Sequence, residues 1–210
     1  MSLLKLNIGN KTYLAKYETA QQVVIGDRIY STTRIGNQLW LAENLDLKWE
    51  TLKVGQSGMS FSEQRANYYS NDESTYGERG NRYGLLYNWV AVNYINEHKN
   101  DLLPEGWHVA SYNEWDMLIT RVGGESVAGI KLKSTSGWIN DNNGDGSTAF
   151  SAFPSGNNFG SIGSAAYFWT ATEDDKNYAY CSILTTGTPI TLGINAKNVQ
   201  YSIRLVKDAT

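Results

Sequence analysis

One stretch of this chain carries the complete signature of an α-helix, and most of what surrounds it reads as strand and turn. Ser111 and Glu114 stand at the spacing where each side chain satisfies the other's free backbone donor. Trp115, Leu118, Ile119 and Val122 then line one apolar face, and Gly123-Gly124 stops the helix. A second segment, Tyr83–Val92, has apolar residues three and four apart and is also expected to be helical. Before these helices the chain alternates in short runs. Leu6–Ile8 and Thr12–Tyr17 flank Gly9-Asn10, and Val23-Val24-Ile25 and Arg28–Thr32 flank Gly26-Asp27, so both read as hairpins. After Gly124 the sequence predicts loops and strands, with strands at Tyr167–Thr172, Tyr178–Leu184 and Tyr201–Val206. Gly55–Gly80 is polar and without period, and reads as loop. No repeat and no βαβ alternation appears. The order of strands, helices, loops and strands predicts an α+β fold with an antiparallel sheet.

A change of texture near Ile35 predicts two parts: an N-terminal β-hairpin extension over 1–34 and a main domain over 35–210. Within the extension, Ile25-Gly26-Asp27-Arg28-Ile29-Tyr30 resembles short β-modules at the starts of some phage virion proteins.

Composition removes several classes of function. With 210 residues the chain can bury a sizeable core without staples. Its 18 Lys and Arg are scattered against 21 Asp and Glu, which gives no basic stripe for nucleic acid. No apolar run is long enough to insert in a membrane, and Met1–Asn10 lacks the apolar core of a secretory signal. Cys181 is the only cysteine, so no intrachain disulfide can form. His98 and His108 leave little for histidine-based metal chemistry, and no cofactor or metal is expected. By contrast 14 Tyr and 7 Trp are abundant, and these large, stiff, amphipathic side chains are enriched at binding surfaces.

Several blocks in register carry a family resemblance. They are Gly36–Leu45 (Gly-Asn-Gln-Leu-Trp-Leu-Ala-Glu-Asn-Leu), Tyr83-Gly84-Leu85-Leu86-Tyr87-Asn88-Trp89, and Pro104-Glu105-Gly106-Trp107-His108-Val109-Ala110-Ser111 with Glu114-Trp115. Lys131-Leu132-Lys133-Ser134, Gly137-Trp138, Phe150-Ser151-Ala152, Phe168-Trp169-Thr170-Ala171-Thr172-Glu173 and Ser202–Asp208 follow. Over about Ile35 to Asp208 the chain resembles the Fibrobacter succinogenes major paralogous domain family. The resemblance implies a C-type-lectin-like fold of the formylglycine-generating-enzyme type. It also implies kinship with the variable proteins of diversity-generating retroelements, which display a changeable ligand-binding face. Members are commonly exported and often lipid-anchored. The absence of a signal peptide and lipobox here favours a virion or extracellular surface protein of phage or prophage origin.

Catalytic chemistry finds little footing. The oxygenase relatives of that fold use two cysteines for copper, and only Cys181 exists. Asp141-Asn142-Asn143-Gly144-Asp145-Gly146 matches the first half of a calcium loop, but Ala152 stands where the bidentate Glu belongs, so the stretch reads as tight turns. Glu173, Asp174 and Asp175 are consecutive carboxylates of the solvated kind, and His108 lacks a partner for metal or catalysis. Glu43 and Glu105 could hold amides or arginines, and Arg204 could pair with one of them. The reading is therefore no enzyme and no catalytic residue. The most informative stretch is Asn177 to Gln200, idiosyncratic between family-like flanks. Only Lys197 and Gln200 break the residue set that randomised Asn codons ending in C can encode. Asp175, Asn177, Tyr178, Tyr180, Ser182, Thr186, Thr188, Ile190, Leu192, Ile194 and Asn195 are expected to form an exposed, contiguous face. A turn at Gly187-Thr188-Pro189 would bring its two strands together. That face would bind a protein or glycan on a bacterial surface. The alternatives are a carbohydrate-active enzyme working through Glu173 and Asp175, and a purely structural virion or surface component. Trp40, Trp89, Trp107, Trp115 and Trp169 are expected to plug the scaffold.

Overall fold

The C-terminal run Tyr201–Val206, expected to be one strand, is two strands in two different sheets, and Arg204 is the residue between them. The computed structural model describes residues 3–8, 11–16, 22–55, 59–68 and 83–209, with the backbone path alone for 3–8 and 11–16. An antiparallel ribbon of β1 (Leu3–Ile8) and β2 (Lys11–Lys16) forms the first hairpin, whose Gly9-Asn10 turn lies outside the described residues. The second hairpin is β3 (Gln22–Ile25) and β4 (Arg28–Ile35), followed by β5 (Gln38–Leu41). Then come β6 (Lys53–Val54), β7 (Arg65–Tyr68), β8 (Leu85–Asn88), α1 (Trp89–Glu97), α2 (Lys99–Leu102) and β9 (His108–Val109). The helices α3 (Tyr112–Arg121) and α4 (Glu125–Leu132) precede a 3-10 turn at Ile139–Asp141. The chain ends in β10 (Ala165–Glu173), β11 (Tyr178–Thr185), β12 (Ile190–Ala196), β13 (Gln200–Ile203) and β14 (Leu205–Asp208).

These strands make a seven-stranded sheet in the order β12-β11-β10-β13-β8-β7-β6 and a five-stranded sheet in the order β3-β4-β5-β14-β9. Strand outweighs helix by 38% to 20%, so the expected α+β, C-type-lectin-like class is corrected: the fold is β-rich. The physical reason lies in two segments. Leu85, Leu86 and Tyr87 are fully buried between β13 and β7, and a continuous apolar run flanked on both sides is a central strand, not a helix start. The helix begins only where the Asn88 side chain accepts from the Ala91 amide. Arg65–Tyr68, expected to be loop, pairs antiparallel with β8, while 56–58 and 69–80 of that stretch lie outside the described residues. Two helices appear where none was expected: α2, a single turn, and α4, which starts after Gly124 and stays short, with Gly129 in its buried face.

The capping box at Ser111 and Glu114 forms as read, with Ser111 N donating to Glu114 Oε2 at 2.8 Å and Glu114 N to Ser111 Oγ at 3.3 Å. The extension's second hairpin is built into the five-stranded sheet, so the boundary at residue 34 falls inside β4. Arg28 of that hairpin pairs with Glu43, and Tyr30, fully buried, accepts the Asp46 amide at 2.9 Å. All five expected tryptophans are buried. Trp169 and Trp89 also donate their indole N–H to the carbonyls of Tyr87 (2.9 Å) and Thr170 (3.0 Å). Trp40, Trp115 and Phe150 meet edge-on with centroids 5.1–5.6 Å apart, and Phe168 closes that cluster.

Arg204 completes the junction. Its Nε donates to Asn44 Oδ1 (2.8 Å), Nη1 to the carbonyls of Leu41 (2.7 Å) and Phe150 (2.6 Å), and Nη2 to that of Ser151 (2.9 Å). The expected pairing with Glu43 or Glu105 is corrected: four neutral acceptors surround the guanidinium, and Glu43 is taken by Arg28 and the Ser31 amide. Burial pushes Arg204 down to about 9, which leaves it charged at pH 7. The cation rests over Phe150 at 4.5 Å, where Ala149 and Ser151 on either side hold left-handed backbone (φ 53° each) so that the two carbonyls reach it.

Two outcomes follow from this packing. Arg204→Met should cost roughly 3–5 kcal/mol in chemical denaturation because buried acceptors lose their donors, and Arg204→Lys should recover only part of it. A loss under about 1 kcal/mol would refute the junction's role. His108 Nε2 lies 2.5 Å from Glu114 Oε1, and that hydrogen bond raises the histidine above its ordinary value. Burial pulls Glu114 upward, but bonds from His108 and Ser111 outweigh it and hold the carboxyl low. The pair's contribution is therefore complete below the unfolded histidine value of about 6.5 and fades as pH rises through the raised folded value. The stability gap between the native protein and His108→Gln should shrink as pH rises above the unfolded value of about 6.5; a gap that widens would contradict this.

Candidate ligand-binding face

Between Trp169 and Glu173 the pairing of β10 with β11 slips, and this bulge shapes the site. The Thr170 hydroxyl turns across to the Tyr180 carbonyl at 2.9 Å, and the Ala171 amide leaves the sheet for Ala110 O at 2.8 Å. Thr172 Oγ1 then accepts the amide of Tyr112, the first residue of α3, at 2.9 Å. As a result the Tyr112 ring meets Tyr180 edge-on, with centroids 4.9 Å apart. The Tyr180 hydroxyl bonds to Asp174, which raises its proton affinity.

β11 and β12 pair antiparallel over seven rungs, with Tyr180 opposite Ile194, Ser182 opposite Leu192 and Leu184 opposite Ile190. Alternation puts these six side chains on one face. That face runs from buried to exposed. At the turn end Leu184 and Ile190 sit in the core with Ala128, Leu132 and Phe168, and Leu192 packs against it. At the far end Ile194 is 50% exposed and Tyr178 43%.

The hairpin is held at both ends. Lys133, buried, sends its ammonium to the carbonyls of Thr185 (3.5 Å), Thr186 (3.3 Å) and Gly187 (3.0 Å) and lies 4.9 Å over Trp138. Desolvation pulls this lysine below its ordinary value. Gly129 lets α4 approach the same turn, since a Cβ there would fall 2.3 Å from the Thr188 carbonyl. At the other end Lys197 pairs with Glu173 and lies 4.5 Å over Trp89.

The expected face is thus only partly a surface. Ser182 and Ile190 are buried, at 0% and 1% exposure, and Leu192 is half-buried, which corrects their placement. Ile190 and Leu192 pack with Ala128 and Leu132 of α4 and with Phe168, and Ser182 stands opposite Phe168 in the register, which a single strand's sequence cannot reveal. Tyr178 and Ile194 are exposed and Tyr180 half-buried. Thr186 and Thr188 belong to the turn, half-buried and exposed, with their carbonyls against Lys133 and Gly129. Asp175 accepts the amides of Asn177 (2.7 Å) and Tyr178 (2.8 Å), and these bonds hold its carboxyl below the ordinary range. Asn177 lies exposed on that turn, and Asn195 donates to the Tyr201 hydroxyl at 2.6 Å.

Elsewhere, Asp145 and Asn143 in the calcium-like stretch accept the amides of Ser147 (2.8 Å) and Trp138 (3.1 Å). Among the described residues no three His, Cys, Asp or Glu side chains gather as a metal site. Cys181 is buried, and burial pushes its thiol up to about 12. An open depression of about 220 Å³ lies among Ile35–Gln38, Met117 and Arg121.

Sequence reasoning passed over Tyr112 and Gly129, read Asp174 only as a solvated carboxylate, and met Lys133 only within a family-like block. Tyr112 was legible only as a helix start, and Lys133 meets carbonyls 52–54 residues away along the chain. The burial gradient makes a direct forecast. Ile190→Ala should cost about 2–5 kcal/mol, whereas Ile194→Ala should stay within about 0.5 kcal/mol. Equal losses in denaturant titrations would contradict the gradient.

Comparison with known proteins adds one firm result. No curated protein and no solved structure matches the chain. The model of the Fibrobacter succinogenes major domain matches residues 33–207, from the last three residues of β4 to the penultimate residue of β14, and so takes in the seven-stranded sheet, the inner strands of the five-stranded one and the junction at Arg204. The chain belongs to the Fibrobacter succinogenes major domain family.

Proposed function

We propose that this protein is a non-catalytic ligand-binding protein that displays the outer end of the β11–β12 hairpin on a rigid β-rich scaffold. The observation that carries the reading is the juxtaposition of Tyr178, Ile194 and the Tyr112–Tyr180 pair beside Asp174, on a hairpin held at both ends by buried lysines. Exposed aromatic and aliphatic groups need a reason on a surface, and binding supplies one. Tyrosines give large contact area with few rotatable bonds, and a held hairpin loses little entropy when it engages a partner. The ligand is a protein or glycan on a bacterial surface, and the protein is a phage or prophage receptor-binding protein. The composition of Asn177–Gln200 supports diversification by a retroelement, since the residues that randomised Asn codons encode fill nearly all of it.

Labelled protein should bind intact bacterial cells of at least one species, or one class of arrayed glycan. Tyr178→Ala, Tyr180→Ala and Ile194→Ala should each weaken that binding about tenfold or more, with the melting temperature unchanged. Binding that survives all three substitutions would reject this face. Turnover of a polysaccharide that Glu173→Gln abolishes would reject the non-catalytic reading.

A further inference from the structure

Every strand at the edge of a sheet presents unpaired amide and carbonyl groups, and proteins normally shorten or charge such edges. The two large sheets do so at three of their four edges. β6 has two residues, and its Lys53 is ion-paired with Glu63. β9 has two residues and carries the His108–Glu114 pair. β3 has four residues. The fourth edge, β12, is different. It runs seven residues, Ile-Thr-Leu-Gly-Ile-Asn-Ala, with no charge and no proline, and pairs with β11 rung for rung without a bulge. β11 is its only strand partner among the described residues.

We propose that β12 is a self-association edge, and that two copies of the chain join there antiparallel about a two-fold axis at Gly193. The strand is self-complementary in that register. Leu192 faces Ile194 of the second copy and Ile194 faces its Leu192, while Thr191 and Asn195 oppose each other on the other face. Ile190 meets Ala196. Apolar groups thus meet apolar groups and polar groups meet polar ones, and no like charges confront each other. Ile194 gains an apolar neighbour across the strand, and the backbone from Thr191 to Asn195 fixes the register, the Ala196 amide being taken by Asn195 Oδ1. A charged partner strand would find no counter-charge on β12, which favours a second copy of the same strand. Joined this way, the two seven-stranded sheets become one.

The test uses the full chain. Sedimentation should show the mass rising from one chain toward two as concentration approaches about 1 mM, where weak complexes register. Ile194→Lys should remain monomeric with unchanged circular dichroism and melting temperature, because the side chain is exposed on the free fold. A disulfide trap reads the register. A Cβ at Gly193 would meet only the Ile183 side chain at 3.6 Å, so Gly193→Cys fits. Residues facing each other across antiparallel strands have Cβ atoms about 4.5–5.5 Å apart, so this variant should form a covalent dimer on mild oxidation. Thr191→Cys should not, since its own counterpart lies four residues along the strand, about 13 Å away. The native Cys181 is buried and stays out of the reaction. A native chain that is monomeric at about 1 mM, an Ile194→Lys variant that still dimerises, or cross-linking as fast at 191 as at 193 would each overturn the proposal.

Discussion

Arg204 is a cation with no carboxylate bonded to it, and the placement of both large sheets depends on how it is satisfied. Its guanidinium collects carbonyls from β5 and from the Phe150-Ser151 loop, and the amide oxygen of Asn44. Those groups come from parts of the chain more than fifty residues apart, so the bonds form only when all the segments are in place. The same residue is where the last strand leaves the seven-stranded sheet and enters the five-stranded one. A charge this deep stays because its donors form a planar fork over Phe150, with acceptors along its rim. Asn44 carries the network onward by donating to Ser202 Oγ at 3.1 Å and to the Tyr83 carbonyl at 2.8 Å.

The same device recurs on a smaller scale at the hairpin. Lys133 and Lys197 are nearly buried lysines, each lying over a tryptophan and each tied to the β11–β12 unit. Lys133 answers carbonyls at the end of β11 and in the four-residue connection after it, and Lys197 answers the Glu173 carboxylate. Buried cations that bind backbone oxygens stiffen a loop without needing a particular side chain in it. Sequence change at the exposed positions of the hairpin therefore leaves its anchorage untouched. This separates anchoring from contact, as the proposed display of the hairpin's outer end requires.

Several features of this molecule were legible in the sequence because they are local. The Ser111–Glu114 capping box, the Gly26-Asp27 turn and the hairpin folded about Gly187-Thr188-Pro189 each depend on residues a few positions apart. The family is legible for another reason: its blocks recur in order along the chain, and that order survives even where the secondary structure is misread. What failed were the assignments in which local pattern and tertiary setting disagree. Leu85–Tyr87 lies in a segment read as helical from its spacing over Tyr83–Val92 but becomes a strand, because strands on both sides leave it no solvent face. The run from Tyr201 to Val206 has strand character throughout, yet a buried arginine divides it.

For the candidate face, the sequence determined that Asn177–Gln200 would be two paired strands rich in Tyr, Thr and Ile, since β propensity and turn residues act at short range. It could not decide which of those residues meet solvent. Tyr178, Ser182, Ile190 and Ile194 all stand on the same face by alternation, but two are buried and two exposed. The difference comes from α4 and the Phe168 cluster, which cover only the turn half of the hairpin, and from the β10 bulge, which sets Tyr112 beside Tyr180. Alternation is a property of one strand, whereas burial depends on what lies above it, and only the tertiary structure supplies that second layer.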